Sequence, residues 1–302
     1  MDISRRDTLR ALGATAAGAL LRPGRAGAAP APLLRPIPSS GERIPAIGLG
    51  TWSTFDVDAS TAARALLEEV LERFAERGGR VVDSSPMYGR SEEVLGALAA
   101  RRGLTDRLFL ATKVWTRGRE AGVRQMEESG RLLGRKRLDL LQVHNLLDVD
   151  AHLATLRAWK EAGKVRYIGV THYTASAYPD VERILLREKL DFLQVNYSLA
   201  EREAEARILP LAREKGVAVL VNRPFGGGEA LRRVLARPLP AWAAEFDCAS
   251  WPQFFLKWIL ANPAVTCAIP ATGKRAHLDD DLDAALGRLP DEKLRRRMAE
   301  AL

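Results

Sequence analysis

The stretch that decides the fold covers residues 81–93 and reads Val81-Val82-Asp83-Ser84-Ser85-Pro86-Met87-Tyr88-Gly89-Arg90-Ser91-Glu92-Glu93. This order of residue types is typical of a strand, a loop and a helix. Two apolar residues lead directly to Asp83, and a Tyr-Gly pair precedes Ser91, which suits the N-cap of a helix. Glu92 and Glu93 follow in the first helical turn, where the helix dipole favours carboxylates. Such a junction delivers polar side chains to the mouth of a barrel of parallel strands.

Two later apolar runs end in polar residues in the same way. Residues 108–112 read LFLAT and lead to Lys113, and residues 140–143 read LLQV and lead to His144. The carboxyl ends of parallel strands meet at one edge, so side chains that follow successive strands lie close together. The candidate catalytic residues are Asp83, Tyr88, Lys113 and His144.

Strand patterns alternate with helix patterns from residue 44 onward. Strand-like runs lie near residues 46–49, 80–83, 107–112, 138–143, 165–170, 191–195, 217–221 and 264–269. Helical patterns lie near residues 59–77, 91–102, 119–134, 150–162, 175–188, 202–215, 250–261 and 275–286. Eight strands alternating with eight helices predict a (β/α)8 TIM barrel.

Two further segments bear on this architecture. A hairpin over residues 33–45, turning near residues 39–41, is predicted to close the barrel floor, and residues 223–249 form the longest interruption of the alternation. The competing architecture is a doubly wound sheet, whose fingerprint is G-x-G-x-x-G after the first strand. Residues 48–53 read GLGTWS and lack the third glycine, which favours the barrel.

Composition limits the classes of function. The 302 residues are 47% hydrophobic, and no apolar run reaches the roughly 18 residues of a membrane-spanning helix. The formal charge is +8, residues 1–28 contribute +3, and the rest is scattered, which indicates a solvated surface rather than a nucleic-acid site. Two cysteines and four widely spaced histidines predict no metal site. The sequence leaves two alternatives for Cys248 and Cys267, a disulfide between them or free thiols. A buried thiol is the commoner state of a cysteine in an apolar run such as that of Cys267.

The first residues have the pattern of a targeting signal. Arg5 and Arg6 precede a mildly apolar segment over residues 11–21 and small residues at 26–28, which resembles a twin-arginine export signal. The pattern predicts a signal peptide over residues 1–28, an extended tether over 29–40, a barrel over 41–302, and a periplasmic or otherwise exported protein. The alternative is a basic amphipathic helix that stays attached.

The four candidate residues suit proton transfer to a carbonyl oxygen. A phenol has an ordinary pKa of about 10, and a buried ammonium near Tyr88 favours the phenolate. Lys113 supplies that ammonium, Asp83 holds it, and the His144 imidazole orients the carbonyl. Each residue also has a purely structural explanation. Asp83 can cap a loop and Tyr88 can line a pocket. Lys113 can be a solvated strand end and His144 a core histidine. Their joint placement at strand ends favours catalysis.

Several segments, spread from about residue 34 to residue 286, resemble the aldo/keto reductase family. They are residues 44–52 (IPAIGLGTW), the segment from Asp83 to Gly96, and residues 111–115 (ATKVW), 141–144 (LQVH), 169–172 (GVTH), 194–197 (QVNY) and 269–274 (IPATGK). The resemblance implies a (β/α)8 barrel that binds NADPH in extended form without a Rossmann domain. It implies Tyr88 as general acid, Lys113 and Asp83 as its tuners, and His144 as orienting donor.

The same resemblance implies the cofactor contacts. Thr171 and His172 stand at the family's Ser-Asn pair, with Gln194 beside them, and Asn222 replaces an aromatic ring that stacks on the nicotinamide. Arg223 then either lies over the nicotinamide ring or reaches the pyrophosphate. The remaining implied cofactor positions are Thr51, Trp52, Pro224, Phe225, Gly226, Gly227, Thr272, Gly273, Lys274, His277, Asp280 and Asp281, and the implied substrate pocket contains Trp52 and Trp115.

Three groups of residues at or beside these implied positions also have a purely structural explanation. The glycines that follow Phe225 let backbone N–H groups approach phosphate, or they form a flexible turn. Lys274 and Arg275 suit an adenosine 2′-phosphate and hence NADP, or they are solvated helix-start residues. Trp52 and Trp115 line an apolar mouth, or they pack at the barrel rim.

Two functions remain open at this point. The first is an exported, NADPH-dependent reductase of aldehydes or ketones, with a small-molecule carbonyl substrate and the twin-arginine machinery as partners. The second is a barrel that binds the cofactor or a partner with little turnover, like the potassium-channel auxiliary subunits of the family. Both hypotheses predict a monomer or weak oligomer that binds no nucleic acid and has no stable membrane span. The sequence does not indicate the substrate.

Overall fold

A computed structural model describes the chain over residues 31–58 and 61–302, and Pro32–Leu302 forms one compact unit. The predicted signal peptide over residues 1–28 lies outside the described residues. The strands are β1 (Leu34–Pro36), β2 (Arg43–Pro45), β3 (Leu49–Gly50), β4 (Val81–Asp83), β5 (Phe109–Val114), β6 (Leu138–His144), β7 (Val165–Thr171), β8 (Phe192–Asn196), β9 (Ala218–Asn222) and β10 (Cys267–Ala268). Strands β3 to β10 form one parallel sheet in sequence order.

The eight-stranded sheet closes on itself. Ile47 bridges Ala268 and Gly50 bridges Ala271, both in parallel register. The backbone N–H of Gly48 donates to the Ala268 carbonyl oxygen over 2.8 Å. Gly48 permits this approach because a Cβ atom there would lie 2.8 Å from the Val81 carbonyl oxygen. The predicted (β/α)8 barrel is therefore confirmed.

Helices cover the outside of the barrel. They are α1 (Thr61–Glu76), α2 (Ser91–Arg101), α3 (Arg119–Leu132), α4 (Val149–Glu161), α5 (Tyr178–Arg187), α6 (Ile208–Glu214), α7 (Glu229–Val234), α8 (Trp251–Leu260), α9 (Arg275–Asp283) and α10 (Glu292–Glu300). The sequence patterns did not predict α7, which has only six residues, or α10, which buries only Arg295 and Met298. Among the described residues, no helix is long and apolar enough to cross a membrane.

The N-terminal hairpin closes the barrel floor, as predicted. Strands β1 and β2 pair antiparallel, and Ile37 and Ile44 are fully buried in the apolar cluster inside the barrel. Glu42 accepts a hydrogen bond from the Tyr167 hydroxyl over 2.8 Å. Residues 34–40 thus form the first strand and the turn of the hairpin, which corrects the predicted tether over 29–40. The barrel unit begins near Pro32 and not at residue 41.

Side chains inside the barrel change from apolar to polar toward the carboxyl ends of the strands. Alternate residues of one strand share a face. Phe109 and Ala111 of β5 are therefore followed on the inner face by Lys113, and Leu140 of β6 is followed four residues later by His144. The polar end of the barrel is the mouth, where sites lie in this fold.

Both cysteines are free and buried. Cys248 and Cys267 carry thiols in this structure, so they are not bridged. Burial raises the pKa of the Cys248 thiol to about 11 and raises that of Cys267 further. These thiols are protonated at neutral pH and are correspondingly poor nucleophiles.

Candidate active site

A buried ion pair stands at the centre of the mouth. The Lys113 Nζ lies 2.7 Å from the Asp83 Oδ2 and donates a second hydrogen bond of 2.7 Å to the Ser84 carbonyl oxygen. Both side chains are buried, and the same Nζ lies 4.9 Å from the centroid of the Tyr88 ring. Three of the four predicted catalytic residues are therefore in one cluster.

Burial in this cluster keeps the Tyr88 phenol protonated. Burial raises the pKa of Tyr88, Lys113 opposes that rise, and Asp83 adds to it. Burial by itself would lower the pKa of Lys113, but Asp83 and Tyr88 outweigh it and the net shift is upward. The sequence suggested that the ammonium would favour the phenolate, but burial and the paired carboxylate reverse the net direction. A protonated phenol beside an ammonium is the form that a general acid requires.

Two glutamines hold the second oxygen of Asp83. Gln194 Nε2 donates to Asp83 Oδ1 over 2.8 Å, and Gln142 Nε2 points to the same oxygen at 3.5 Å. Gln194 Oε1 in turn accepts from the Thr171 hydroxyl over 3.2 Å. Sequence reasoning missed Gln142, although it is the one amide in the apolar β6 run and stands two residues before His144.

His144 is a neutral side chain in this cluster. Its ring stands nearly perpendicular to that of Tyr88, with 5.9 Å between centroids. Its Nδ1 lies 3.0 Å from the Ser85 hydroxyl oxygen. Burial, with smaller contributions from Lys113 and His172, lowers the pKa of His144 to about 2. A neutral imidazole offers one donor and one acceptor nitrogen.

Large apolar side chains surround the mouth. Trp115 follows β5, with its ring centroid 6.5 Å from that of His144, and is 41% exposed, while Trp52 follows β3 and is 61% exposed. Met87 and Tyr173, on two other loops at this face, are also exposed. The predicted pocket residues Trp52 and Trp115 are thus exposed after their strands, and Trp115 lies next to His144.

The predicted nicotinamide contacts lie together beside Gln194. His172 Nδ1 accepts from the backbone N–H groups of Tyr173 (3.0 Å) and Thr174 (3.3 Å), so its proton is on Nε2. Asn222 Nδ2 donates to the His172 carbonyl oxygen at 3.2 Å and points to Gln194 Oε1 at 3.4 Å. The Asn222 Oδ1 is buried, and no partner for it is found among the described residues.

Arg223 contacts an acid and the glycine turn. Its Nη2 lies 3.4 Å from the Glu201 Oε1 and would be 3.0 Å from a Cβ atom on Gly227. The three glycines of the turn, 226–228, all have positive φ (55°, 71° and 86°). This conformation suits glycine because other residues are strained there. Of the neighbouring predicted contacts, Pro224 is buried and Phe225 packs edge-on against Phe255 with 6.3 Å between ring centroids.

The predicted 2′-phosphate region lies at the start of α9. Lys274 is the N-cap of this helix, its backbone N–H donates to the Thr272 hydroxyl over 3.1 Å, and His277 is exposed in the first turns. The first turn of α9 contains no acidic residue, so positive charge and free backbone N–H groups meet there. Gly273 lies between Thr272 and this cap.

Of three other predicted contacts, Thr51 and Asp280 have partners within the protein and Asp281 is buried. Thr51 is buried behind the cluster and donates to the Asp83 carbonyl oxygen over 3.0 Å. Asp280 accepts from Ser250 and Gln253, each over 2.8 Å, so its oxygens are used in tying α9 to α8. Asp281 is buried, and burial raises the pKa of its carboxyl well above the ordinary value.

A protonated tyrosine, a buried Lys–Asp pair and a neutral histidine at the mouth of a (β/α)8 barrel form an arrangement that suits proton transfer to a carbonyl oxygen, as in an oxidoreductase. Comparison with known proteins agrees with this class. The sequence profile described as "Aldo/keto reductase family" matches residues 46–299. The chain therefore belongs to the aldo/keto reductase family.

Named relatives lie at moderate distance. The chain is 28% identical to aldo-keto reductase YhdN of Bacillus subtilis over 200 residues, 61% of this chain but only 60% of that protein. It is 27% identical to methylglyoxal reductase YeaE of Escherichia coli over 245 residues, 79% of this chain and 84% of that protein. Among solved structures, an aldo-keto reductase from Klebsiella pneumoniae in complex with NADPH aligns with a TM-score of 0.71 and 28% identity, over 86% of this chain and 92% of that chain.

Proposed function

We propose that this protein is an NADPH-dependent reductase that converts an aldehyde or ketone to an alcohol, with Tyr88 as proton donor. The observation that carries the proposal is the buried pair of Lys113 and Asp83, 2.7 Å apart, with the Lys113 Nζ 4.9 Å from the Tyr88 ring. When bound, the nicotinamide dinucleotide supplies the hydride.

The roles of the chain's own residues follow from their protonation states. Tyr88 is a phenol at neutral pH and donates its proton to the carbonyl oxygen as negative charge develops there. Lys113 remains an ammonium and stabilises the phenolate that Tyr88 then becomes, and Asp83 holds Lys113 in place. His144 donates a hydrogen bond from its neutral ring to the same oxygen.

The residues present fit a nicotinamide dinucleotide phosphate. His172 has an Nε2–H donor and Asn222 a buried Oδ1 acceptor, which suit the two ends of a carboxamide. Asparagine at this position forgoes aromatic stacking, a loss of about 1 kcal/mol. The glycines of the 226–228 turn leave room for a pyrophosphate near their backbone. Lys274 and Arg275 at the start of α9 suit the 2′-phosphate, with each charge-assisted contact worth about 1.5–3 kcal/mol.

The test is reduction of a carbonyl panel by the purified protein, followed by the absorbance of NADPH. Suitable probes are aromatic aldehydes and methylglyoxal, because one relative is named methylglyoxal reductase. Tyr88→Phe is expected to lower kcat by about 100-fold or more while dinucleotide affinity stays nearly unchanged. Tyr167→Phe is the matched control, because its hydroxyl lies at the barrel floor against Ser40 and Glu42. Near-normal turnover by Tyr88→Phe contradicts the assignment.

A binding protein with little turnover is the second candidate, favoured by the missing ring at Asn222. In that case the protein retains nucleotide, but the wild type and Tyr88→Phe oxidise NADPH equally slowly with every carbonyl. Asn222→Tyr restores a ring and is expected to tighten dinucleotide binding, with the catalytic cluster left intact. Nucleotide titrations together with the carbonyl panel separate the two candidates.

Export by the twin-arginine route is the remaining part of the proposal, supported by Arg5 and Arg6 ahead of the segment 11–21. That route carries folded proteins, so the dinucleotide would enter before export. Replacing Arg5 and Arg6 by lysine is expected to retain the protein in the cytoplasm with residues 1–28 attached. The same replacement at Arg22 and Arg25 is the charge-matched control. Normal processing of the first variant refutes the route.

A further inference from the structure

Ser85 makes two contacts that together determine where a proton lies. Its side chain is fully buried in the loop that follows β4. Its Oγ accepts a hydrogen bond from the Met87 backbone N–H over 3.3 Å and lies 3.0 Å from the Nδ1 of His144. In the part of the chain that the structure describes, Oγ has no other hydrogen-bond partner.

The hydroxyl proton therefore goes to His144. A backbone N–H can only donate, so the Met87 contact uses a lone pair of Ser85 Oγ and leaves its proton available. A buried hydroxyl needs an acceptor for that proton, and the His144 Nδ1 is the one acceptor in reach among the described residues. A neutral imidazole that accepts at Nδ1 carries its own proton on Nε2.

We propose that Ser85 is a positioning residue that locks His144 in the Nε2–H tautomer, so that this histidine presents a donor and not a lone pair to the carbonyl oxygen. The inference deepens the proposed function and rests on it for its catalytic part. Ser85 acts only through His144, because its Oγ contacts Nδ1 and leaves Nε2 as the ring nitrogen for the substrate in this proposal.

One turn of the chain sets both the acid and this lock. The Tyr88 backbone N–H donates to the Ser85 carbonyl oxygen over 3.0 Å, and the Met87 N–H donates to the Ser85 hydroxyl. A side-chain bond of this type, to a backbone N–H two residues on, restricts the serine rotamer. The phenol of Tyr88 and the hydroxyl of Ser85 are thus held by the same short loop.

The competing explanation is that Ser85 only stabilises the loop. Ser85→Ala removes the hydroxyl. Ser129→Ala is the matched control, because Ser129 is also a buried serine and its hydroxyl donates one hydrogen bond, to Glu92 Oε2 over 2.9 Å. A structural role alone predicts that both variants lose stability and that neither changes the tautomer of His144.

The tautomer is read by NMR on protein labelled with 15N-histidine and saturated with NADP, with His144→Gln to assign the signal among the four histidines. The wild type and Ser129→Ala are expected to show His144 as the Nε2–H form, and Ser85→Ala is expected to shift it toward the Nδ1–H form. We expect kcat to fall about tenfold or more in Ser85→Ala, by analogy with other lost oxyanion donors, with NADP affinity unchanged.

The outcomes separate this inference from the proposed function. A pure Nε2–H tautomer in Ser85→Ala, or a shifted tautomer with unchanged kcat, overturns the role of Ser85 even if Tyr88→Phe is inactive. A shifted tautomer in a protein that reduces no carbonyl supports the lock and refutes the proposed function. Ser85→Thr keeps a hydroxyl and is expected to restore the Nε2–H form, and failure to restore it in a folded variant also overturns the proposal.

Discussion

Lys113→Met is expected to destabilise the protein strongly, because it leaves a buried carboxylate without its cation. Lys113 is completely buried and Asp83 is 2% exposed, with 2.7 Å between Nζ and Oδ2. Removing one partner of such a pair costs about 3–5 kcal/mol, whereas replacing both partners by apolar residues of similar size is often close to neutral. At roughly 2 °C per kcal/mol for a unit of this size, the Tm should fall by about 5–10 °C.

The assay is a double-mutant cycle measured by urea unfolding. Asp83→Leu alone should be destabilising by a similar amount, and the double variant Asp83→Leu with Lys113→Met should recover most of the loss. The coupling free energy should therefore be about 3 kcal/mol or more in favour of the pair. Carbonyl reduction should be lost in all three variants, since recovered stability does not restore the ammonium beside Tyr88.

A second buried lysine provides the control. The Lys257 Nζ donates to the carbonyl oxygens of Leu286 (2.6 Å) and Arg288 (3.0 Å), and among the described residues no carboxylate lies within ion-pair distance of it. Lys257→Met should cost about 1–3 kcal/mol and leave carbonyl reduction intact. If Lys113→Met costs no more than this control, or if the two changes of the cycle are simply additive, the reasoning about the pair is refuted.

Three other predictions concern pH, cofactor and substrate. The pKa of His144 is about 2 in the native state and about 6.5 when unfolded, so below pH 6.5 only the unfolded chain takes up this proton. Between pH 7 and pH 5, the free energy of unfolding in urea should therefore fall by about 2 kcal/mol more for the wild type than for His144→Gln. An equal pH dependence of the two proteins would contradict this. Lys274→Glu with Arg275→Glu should abolish the preference for NADP over NAD in nucleotide titrations, and a wild type that binds both equally would disprove the specificity. Trp115→Ala should raise KM for aromatic aldehydes more than for methylglyoxal, whereas an equal effect on both would place the substrate elsewhere.

Sequence reasoning predicted the parts of the site that depend on topology. Asp83, Lys113 and His144 each follow an apolar run, and the closure of a parallel barrel brings strand ends together whatever the details of packing. The hairpin was predictable because its apolar residues, such as Ile37 and Ile44, flank a turn signal. The α10 helix was not, because most of its residues are charged and it buries Arg295 and Met298 alone.

Side-chain pairing across strands was beyond the reach of sequence. No spacing along the chain reveals that Gln194 of β8 donates to Asp83 of β4, or that Asp280 is engaged by Ser250 and Gln253. The net pKa of Tyr88 was misjudged for the same reason, because its sign depends on how deeply the phenol is buried and on how far Asp83 neutralises Lys113. Adjacency of strands follows from topology, but hydrogen-bond choice and desolvation require coordinates.

The location of the site also follows from the cost of burying charge. On the inner face of β5, Phe109 and Ala111 lie in an apolar cluster that the hairpin residue Ile37 seals from below. An ammonium at that depth would have no acceptor and would be strongly unfavourable. One step further along, at the strand end, Lys113 finds the Asp83 carboxylate and a backbone carbonyl oxygen. The barrel can therefore hold this lysine charged only at its mouth, which is also where a carbonyl substrate can reach the Tyr88 phenol.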